Sequence, residues 1–469
     1  MLNIKIITTT AIENFIKHYY NMSLNLRIKK GLDIKIAGAI ASSETVVKVS
    51  PKTVAVVPDD FPGFTPKVEV KDGDNVTVGQ PLLHDKHDEQ IKLVAPVSGT
   101  VKGVVRGERR KIERVVIEPA ADTATQSDVE IPQLSTAEEV AKFLKNKGLW
   151  AMMRQRPYDI VPSAMAKPRD IFVTAIDSAP LAINPAEFIA ADKEALAKGV
   201  ELLQMLTKGK VYVSRRHNSA LSDIEGAEMV DIEGPHPAGN VGVQLANISP
   251  INKGETIWTL DAMTLWRIGR AALTGVVPTE AYVAVVGSEI AKPQVVCTTI
   301  GADVESIVSG NLEADERNKR IIAGNVLSGT KIAADGYLRF PYRQLTVIPE
   351  GNDVDEFMGW ASISLSKNSE SRSFPGHFFK KIFNPDARLK GGRRAFIMSG
   401  EYDRYLPMDI MSEFLIKAII GRDIEQMEKL GIYEVAPEDF ALGEYADTSK
   451  IEAQKIVREG LDYLRKELE

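Results

Sequence analysis

The sequence predicts a multidomain α/β protein, and three observations point that way. Its 469 residues are enough for three or four domains with more than one buried core. From residue 23 to about 121, short apolar or alternating runs are punctuated by glycine and proline, as in packed strands joined by turns. From Ile171 the period changes. The run IFVTAID is followed by a helical pattern over 191–209 and then by KVYVSRRH. Strand–helix–strand at that spacing calls for a parallel sheet.

Taken in order, residues 1–21 form an N-terminal extension. Thr8–Thr10 and Glu13 interrupt the apolar stretch that a signal peptide requires. Residues 22–125 form the first domain, opening with the strands LNLRIKKG and TVAVVP. VKDGDNVTVGQPLLHDK (70–86) follows, with Asp72-Gly73 as a tight turn, and then LVAPVSGTVKGVVRG (93–107). This double hairpin resembles the barrel-sandwich of biotinyl and lipoyl carrier domains. Lys86 falls where a lipoyl domain presents its modified lysine, but the residues after it supply no apolar support. The segment 102–114 carries six basic residues, either a docking face or an exposed hairpin.

Residues 126–150 read as a linker and helix. Ser135-Thr136 marks the start, Val140, Phe143 and Leu144 share one face, and Gly148 is the stop. Residues 151–275 read as a Rossmann-like α/β domain, with AEMVDIEG as a further strand. The proline- and glycine-dense GPHPAGNVG (234–242) reads as a stiff connector between two sheets. The next helix is expected some twenty residues later, through Leu265 and Ile268 to Gly275. No G-x-G-x-x-G spacing occurs and no glycine-rich turn follows IFVTAID, so NAD binding is not expected. Residues 276–350 resemble a small β-grasp module. Residues 351–469 comprise a basic loop and a helical C-terminal domain.

Composition excludes several classes of function. A net charge of −6 opposes general nucleic-acid binding. No apolar run reaches the 18 or so residues of a membrane-spanning helix. The single cysteine, Cys297, forbids an intrachain disulfide and any all-cysteine cluster, and it reads as a buried strand residue. His84 and His87 approach metal-ligand spacing, but such pairs arise often on polar hairpin tips, so no metal site is predicted. No nucleophile elbow is present, and Asp59-Asp60 sits in a turn-like context. No catalytic residue is predicted.

Several colinear stretches resemble the A subunit of the Na+-translocating NADH:quinone oxidoreductase family. They are IKKGLDIKIAG (28–38), the block 70–120, RPYDIVP (156–162), IFVTAIDSAPLA (171–182) and GPHPAGNVG. FMGWASI (357–363), RSFPGH (372–377), YLPMDI (405–410) and EDFALGEYADTSK (438–450) continue the series. The Rnf electron-transfer complex has a related subunit with cysteine-rich iron–sulfur motifs in its C-terminal region, and here that region holds no cysteine. The resemblance implies a peripheral subunit on the cytoplasmic side of the bacterial inner membrane, in a respiratory complex that couples quinone reduction to Na+ export. NADH, FAD, FMN and iron–sulfur centres would lie on partner subunits, with the membrane-embedded B subunit and the C subunit as the chief neighbours. This chain would bind no cofactor of its own, and the isolated chain is expected to be inactive.

Quinone, ubiquinone among them, is the ligand this family suggests. It needs a concave, mostly apolar pocket with one or two polar groups. Aromatics in loops qualify: Phe61 and Phe64 around a Pro-Gly turn, and Arg156 with Tyr158. Aromatics wedged between domains are the plainer alternative. For attachment, residues 372–394 carry seven Lys/Arg against one Asp. Phe374, Lys380, Lys381, Arg393 and Arg394 are therefore the docking candidates, with Trp360 as a further aromatic, facing a partner or lipid headgroups. A scaffold that docks in the complex and binds no ligand is the alternative function, and a lipoyl-type carrier the third.

Overall fold

The computed structural model describes residues 23–41, 46–121, 131–352, 365, 367–370, 372, 374–379 and 382–468. The expected N-terminal extension over 1–21 lies outside these residues. A six-stranded sheet lies at the centre. Its strands are β1 (Leu24–Arg27), β2 (Arg154–Arg156), β3 (Ile171–Thr174), β4 (Val211–Arg216), β5 (Glu228–Glu233) and β6 (Ile257–Asp261). They lie in the order β1-β5-β4-β3-β6-β2. All pairings are parallel except that of β2 with β6. Ile171, Phe172 and Val173 are fully buried, which is why this strand reads as a continuous apolar run instead of alternating.

Preceding the sheet, α1 (Ala137–Asn146) opens with a reciprocal cap between Thr136 and Glu139. Helix α2 (Lys193–Leu206) connects β3 to β4, and α3 (Val241–Ile248) leads from β5 towards β6. The chain thus builds outward from β3 through β4 to β5, then returns to place β6 on the other side of β3. An open α/β sheet has its ligand crevice where the strand order reverses in this way, beyond the carboxyl ends of the strands. Helix α4 (Ala262–Thr274) follows β6, is capped by the Asp261 side chain and ends at Gly275 with φ 75°. It packs unusually close to α2. A Cβ on Gly269 would lie 1.7 Å from the Ala195 carbonyl oxygen, and one on Gly199 would lie 2.6 Å from that of Leu265.

Two small antiparallel sheets form the barrel-sandwich ahead of α1. One runs Val54–Val56, Ile112–Pro119, Gly99–Arg106, Asn75–Val76, and the other Pro66–Val68, Pro81–Asp85, Lys92–Val94. Leu82, Leu83, Val101, Val115 and Ile117 fill the space between them. A third unit follows α4. Its sheet is ordered Thr330–Ile332, Lys319–Ala323, Gln344–Pro349, Glu280–Val286, Gln294–Thr299, Val47–Lys48, and Val304–Val308 packs on it. The C-terminal helices, including α5 (Ser412–Ile420) and α6 (Ala453–Leu468), share one core with Ile28, Val230, Ile232 and Val243 of the central unit.

Three expectations are corrected. LNLRIKKG is not a barrel strand: β1 pairs in parallel with β5, and Val47–Lys48 joins the third sheet. The apolar spacing of β1 serves either sheet, and its partner lies about 200 residues away, beyond anything local pattern can signal. GPHPAGNVG does not join two sheets. It links two strands of one sheet, and α3 begins at Val241, inside the motif itself. Cys297 lies in a strand as expected, but it is only partly buried.

Candidate functional site

Two cavities open where these units meet. The first, about 370 Å³, lies between the barrel, the end of α4 and the third sheet. Ala55, Phe61, Leu93 and Ala95 come from the barrel side, Met152 from the segment after α1, and Val277, Ile300, Leu338 and Phe340 from the far wall. Phe61 stacks on Phe340 with ring centroids 5.3 Å apart, and the Arg154 guanidinium lies 6.0 Å from the Phe340 centroid. Polar groups are few. Asp60 pairs with Arg339 and accepts the Phe340 backbone N–H at 2.9 Å. Burial nonetheless raises its carboxyl to about 6, with Arg339 opposing the rise. Lys147 donates to the Gly275 carbonyl at 2.8 Å, and burial pulls its ammonium below the usual range.

The second cavity, about 410 Å³, lies at the strand-order reversal of the central sheet. Thr174 ends β3 and Ile176 and Asp177 follow it, Leu260 and Asp261 end β6, and Gly239 and Asn240 lead into Val241 at the start of α3. Unlike the first, it is lined by many charged side chains, Asp177, Asp261, Arg339 and Arg343 among them. Arg343 pairs with Asp261 at 2.8 Å, and Glu438 and Gln454 of the C-terminal segment complete the wall. Glu438 is raised to about 8, by its enclosure first and by the neighbouring Asp439 next. Below it, Arg156 and Asp439 form an ion pair at 3.1 Å, both side chains essentially inaccessible to solvent.

The structure separates residues that the sequence grouped. Phe61 and Phe64 share a turn, the Phe64 N–H bonding the Phe61 carbonyl at 3.0 Å, but only Phe61 lines the apolar cavity; Phe64 packs in the core beside it. Arg156 holds the C-terminal segment, and Tyr158 is buried among the C-terminal helices, where Arg458 donates to its carbonyl at 2.7 Å. Sequence reasoning does not single out Asp60, Phe340 or Asp439 as site residues. Their partners lie 280 residues or more away in two cases, Asp60 with Phe340 and Asp439 with Arg156, so no motif betrays them.

Other candidates also find places. Phe374 is only 2% exposed, so it is not the exposed anchor expected: it seats inside the loop while Phe378 (66%), Phe379 (74%) and Ile382 (62%) face outward. Arg393 pairs with Glu452 at 2.9 Å, and the Arg394 N–H bonds the Ser449 carbonyl at 2.8 Å. Lys380, Lys381 and Trp360 lie outside the described residues. The His84 ring bonds Glu69 at 2.8 Å, and among the described residues no group of three or more His, Cys, Asp or Glu could hold a metal ion. Lys86 is exposed where the hairpin turns. His236 lies 3.1 Å from Ser178 Oγ, and burial lowers it to about 4, leaving it neutral. Asp33 accepts from the His236 backbone N–H, not from its ring, so the imidazole lacks the orienting acid of a Ser-His-Asp triad.

Family models match three stretches that fall on three of these units. An NqrA N-terminal barrel-sandwich hybrid domain matches 26–120, an NqrA second alpha/beta domain 135–277, and an NQRA C-terminal domain 282–334. Curated relatives extend the match across the chain. The A subunit of the Na+-translocating NADH-quinone reductase from Photorhabdus laumondii is 35% identical over 94% of this chain and 100% of its own length. Its counterpart from Vibrio anguillarum is 36% identical over the same shares. That from Histophilus somni is 34% identical, again over 94% and 100%. The chain belongs to this A-subunit family. For the family, the barrel-sandwich, the second α/β domain and the C-terminal domain are the architecture described above. Among the described residues, no helix is long and apolar enough to cross a membrane.

Proposed function

We propose that the chain is the peripheral A subunit of a Na+-translocating NADH:quinone reductase, a translocase of the respiratory chain, and that it supports quinone reduction coupled to Na+ export. The observation that carries this is colinear identity of about a third with the family's A subunits over their whole length. It sits on the cytoplasmic side of the membrane, with the membrane-embedded B subunit and the C subunit as neighbours. NADH, FAD, FMN and iron–sulfur centres belong to other subunits of the complex and not to this chain. Within the chain, the 22–125 barrel is read as biotinyl/lipoyl-like, 151–275 as Rossmann-like and 276–350 as β-grasp. The linker 126–150 joins the first two, and 351–469 forms the loop and helical end.

If quinone meets this chain, the apolar cavity behind Phe61 suits it better than the Arg156–Tyr158 region. A ring stacked in the Phe61–Phe340 wall would gain flat apolar contact, and Lys147 and the Phe340 loop offer polar groups for carbonyls. Titrating the full chain with a short-chain quinone and following tryptophan fluorescence tests this, since Trp150 shares a single turn with the wall residue Met152. A saturable change that weakens in Phe61→Ala supports the site. A featureless titration leaves the chain as a docking scaffold with no ligand of its own.

A further inference from the structure

The apolar cavity behind Phe61 is unevenly charged. Of the side chains that line it, only Asp60 and Lys147 are ionisable. Asp60 is matched by Arg339, with which it pairs, and it also accepts the Phe340 backbone N–H. Lys147 has no such match. Its Nζ donates to the Gly275 carbonyl at 2.8 Å, and no carboxylate among the described residues opposes the burial that lowers it. Other enclosed lysines are treated differently. Lys145 pairs with Asp88 at 2.8 Å, Lys319 with Asp315 at 2.6 Å and Lys390 with Asp386 at 3.3 Å. A cation without a counter-ion beside apolar walls costs desolvation that nothing in the chain offsets.

Holding two helix ends together accounts for only part of this. Lys147 is the C-cap residue of α1, and the carbonyl it reaches belongs to Gly275, just past the end of α4, where the helix dipole favours a cation. One N–H suffices for that bond, and an uncharged amide would supply it. An ammonium has three donors, so two remain at the cavity wall. The backbone there is also fixed. Gly148, the next residue, has φ 74°, and a Cβ on it would lie 3.0 Å from Val94 Cγ2 of the barrel. Lys147 is thus held in place by a tight approach of α1 to the barrel, on a wall that is otherwise almost entirely uncharged.

We propose that Lys147 is the head-group counter-ion of this cavity, which therefore prefers flat apolar rings carrying an ionised oxygen over neutral quinones of the same shape. The inference rests on the reading of the cavity as the quinone site and adds its specificity. Phe61, Leu93, Val277 and Phe340 supply apolar surface for the ring, and the anionic oxygen meets the two remaining Lys147 donors. A charge-assisted bond in such surroundings is stronger than a neutral one. Asp60 opposes the ligand little, because Arg339 neutralises it.

The test titrates the full chain in a calorimeter with lawsone, a hydroxynaphthoquinone that is ionised at neutral pH, and with its neutral methyl ether. Wild type should bind lawsone roughly tenfold more tightly than the ether, the gain expected of a hydrogen bond to a charged group. Lys147→Gln keeps a donor for the Gly275 carbonyl and should bind both ligands alike. Lys147→Arg keeps the charge and should keep the preference. Lys147→Met, which retains the stem and removes every donor, is the second neutral variant and guards against a glutamine variant that does not fold. Equal affinities in wild type, or a preference that survives in either neutral variant, overturn the proposal and leave the quinone site standing. No saturable binding of either ligand removes the quinone reading itself, and the proposal with it.

Discussion

At the scale of single residues, burial of carboxylates sets the pH behaviour. Glu438 ionises near 8 in the folded chain against 4.5 ordinarily, so the folded state binds its proton more tightly than the unfolded state. Stability from this group is complete below about 4.5 and declines as pH rises towards 8. Glu438→Gln should therefore flatten the fall in melting temperature between those pH values and leave the variant the more stable at the upper end. Because the Glu438 side chain is 44% accessible, the gain is discounted for solvent screening to roughly 1–2 kcal/mol. Thermal melts across the pH range check it, and parallel curves for variant and wild type would refute it. The sequence shows Asp59-Asp60 as turn carboxylates and Glu438-Asp439 only as part of a motif. Neither pattern can show that Asp60 and Asp439 are buried, because their enclosure comes with Phe340 and Arg156, contributed by distant parts of the chain.

At the scale of elements, close approach decides which small residues matter. Gly269 of α4 faces the α2 backbone so tightly that an added methyl cannot fit without moving a helix. Alanine is the better helix former by about 1 kcal/mol, yet overpacking costs about 1–3 kcal/mol, so Gly269→Ala should lower stability. Gly103→Ala, where a Cβ meets nothing within 4 Å, is the control and should be near neutral. Equilibrium denaturation of the pair decides it, and equal midpoints would show that the two helices separate freely. Most elements are legible because their period is local: the buried β3 run, the capped α1 and the helical pattern of α2 fall where the residues place them. Helix α3 is hidden. Val241-Gly242-Val243 mixes a β-branched pair with glycine, weak helix formers that only packing against β3 and the C-terminal unit secures. The partner of β1 is hidden for a related reason, since alternation specifies a buried face and not the sheet that buries it.

At the scale of the whole molecule, the question is how four units, none with a helix fit to cross a membrane among the described residues, attach to a membrane complex. The loop over 372–394 offers charge together with outward-facing Phe378, Phe379 and Ile382. Charge contacts weaken with salt, whereas apolar contacts do not. Reversing Lys380, Lys381, Arg393 and Arg394 to Glu should loosen the chain from membranes at low salt. The fold should survive, because the one ion pair described there for these four residues, Arg393–Glu452, is largely exposed. Retention equal to wild type at every salt concentration would leave the loop a solvated connector. The family match reaches 94% of the chain, the resembling stretches run from residue 28 to 450, and that distribution makes the family legible in the residues alone. The cavities are not legible there, because each is walled by three or more units whose meeting no single motif encodes.

The most direct test of the central claim is Na+-stimulated quinone reduction by NADH in membranes from cells lacking this chain, with and without the chain restored. The account predicts that activity collapses without the chain, returns when its full length is restored, and that the restored chain copurifies with the membrane subunits. Full Na+-stimulated quinone reduction in its absence would contradict it.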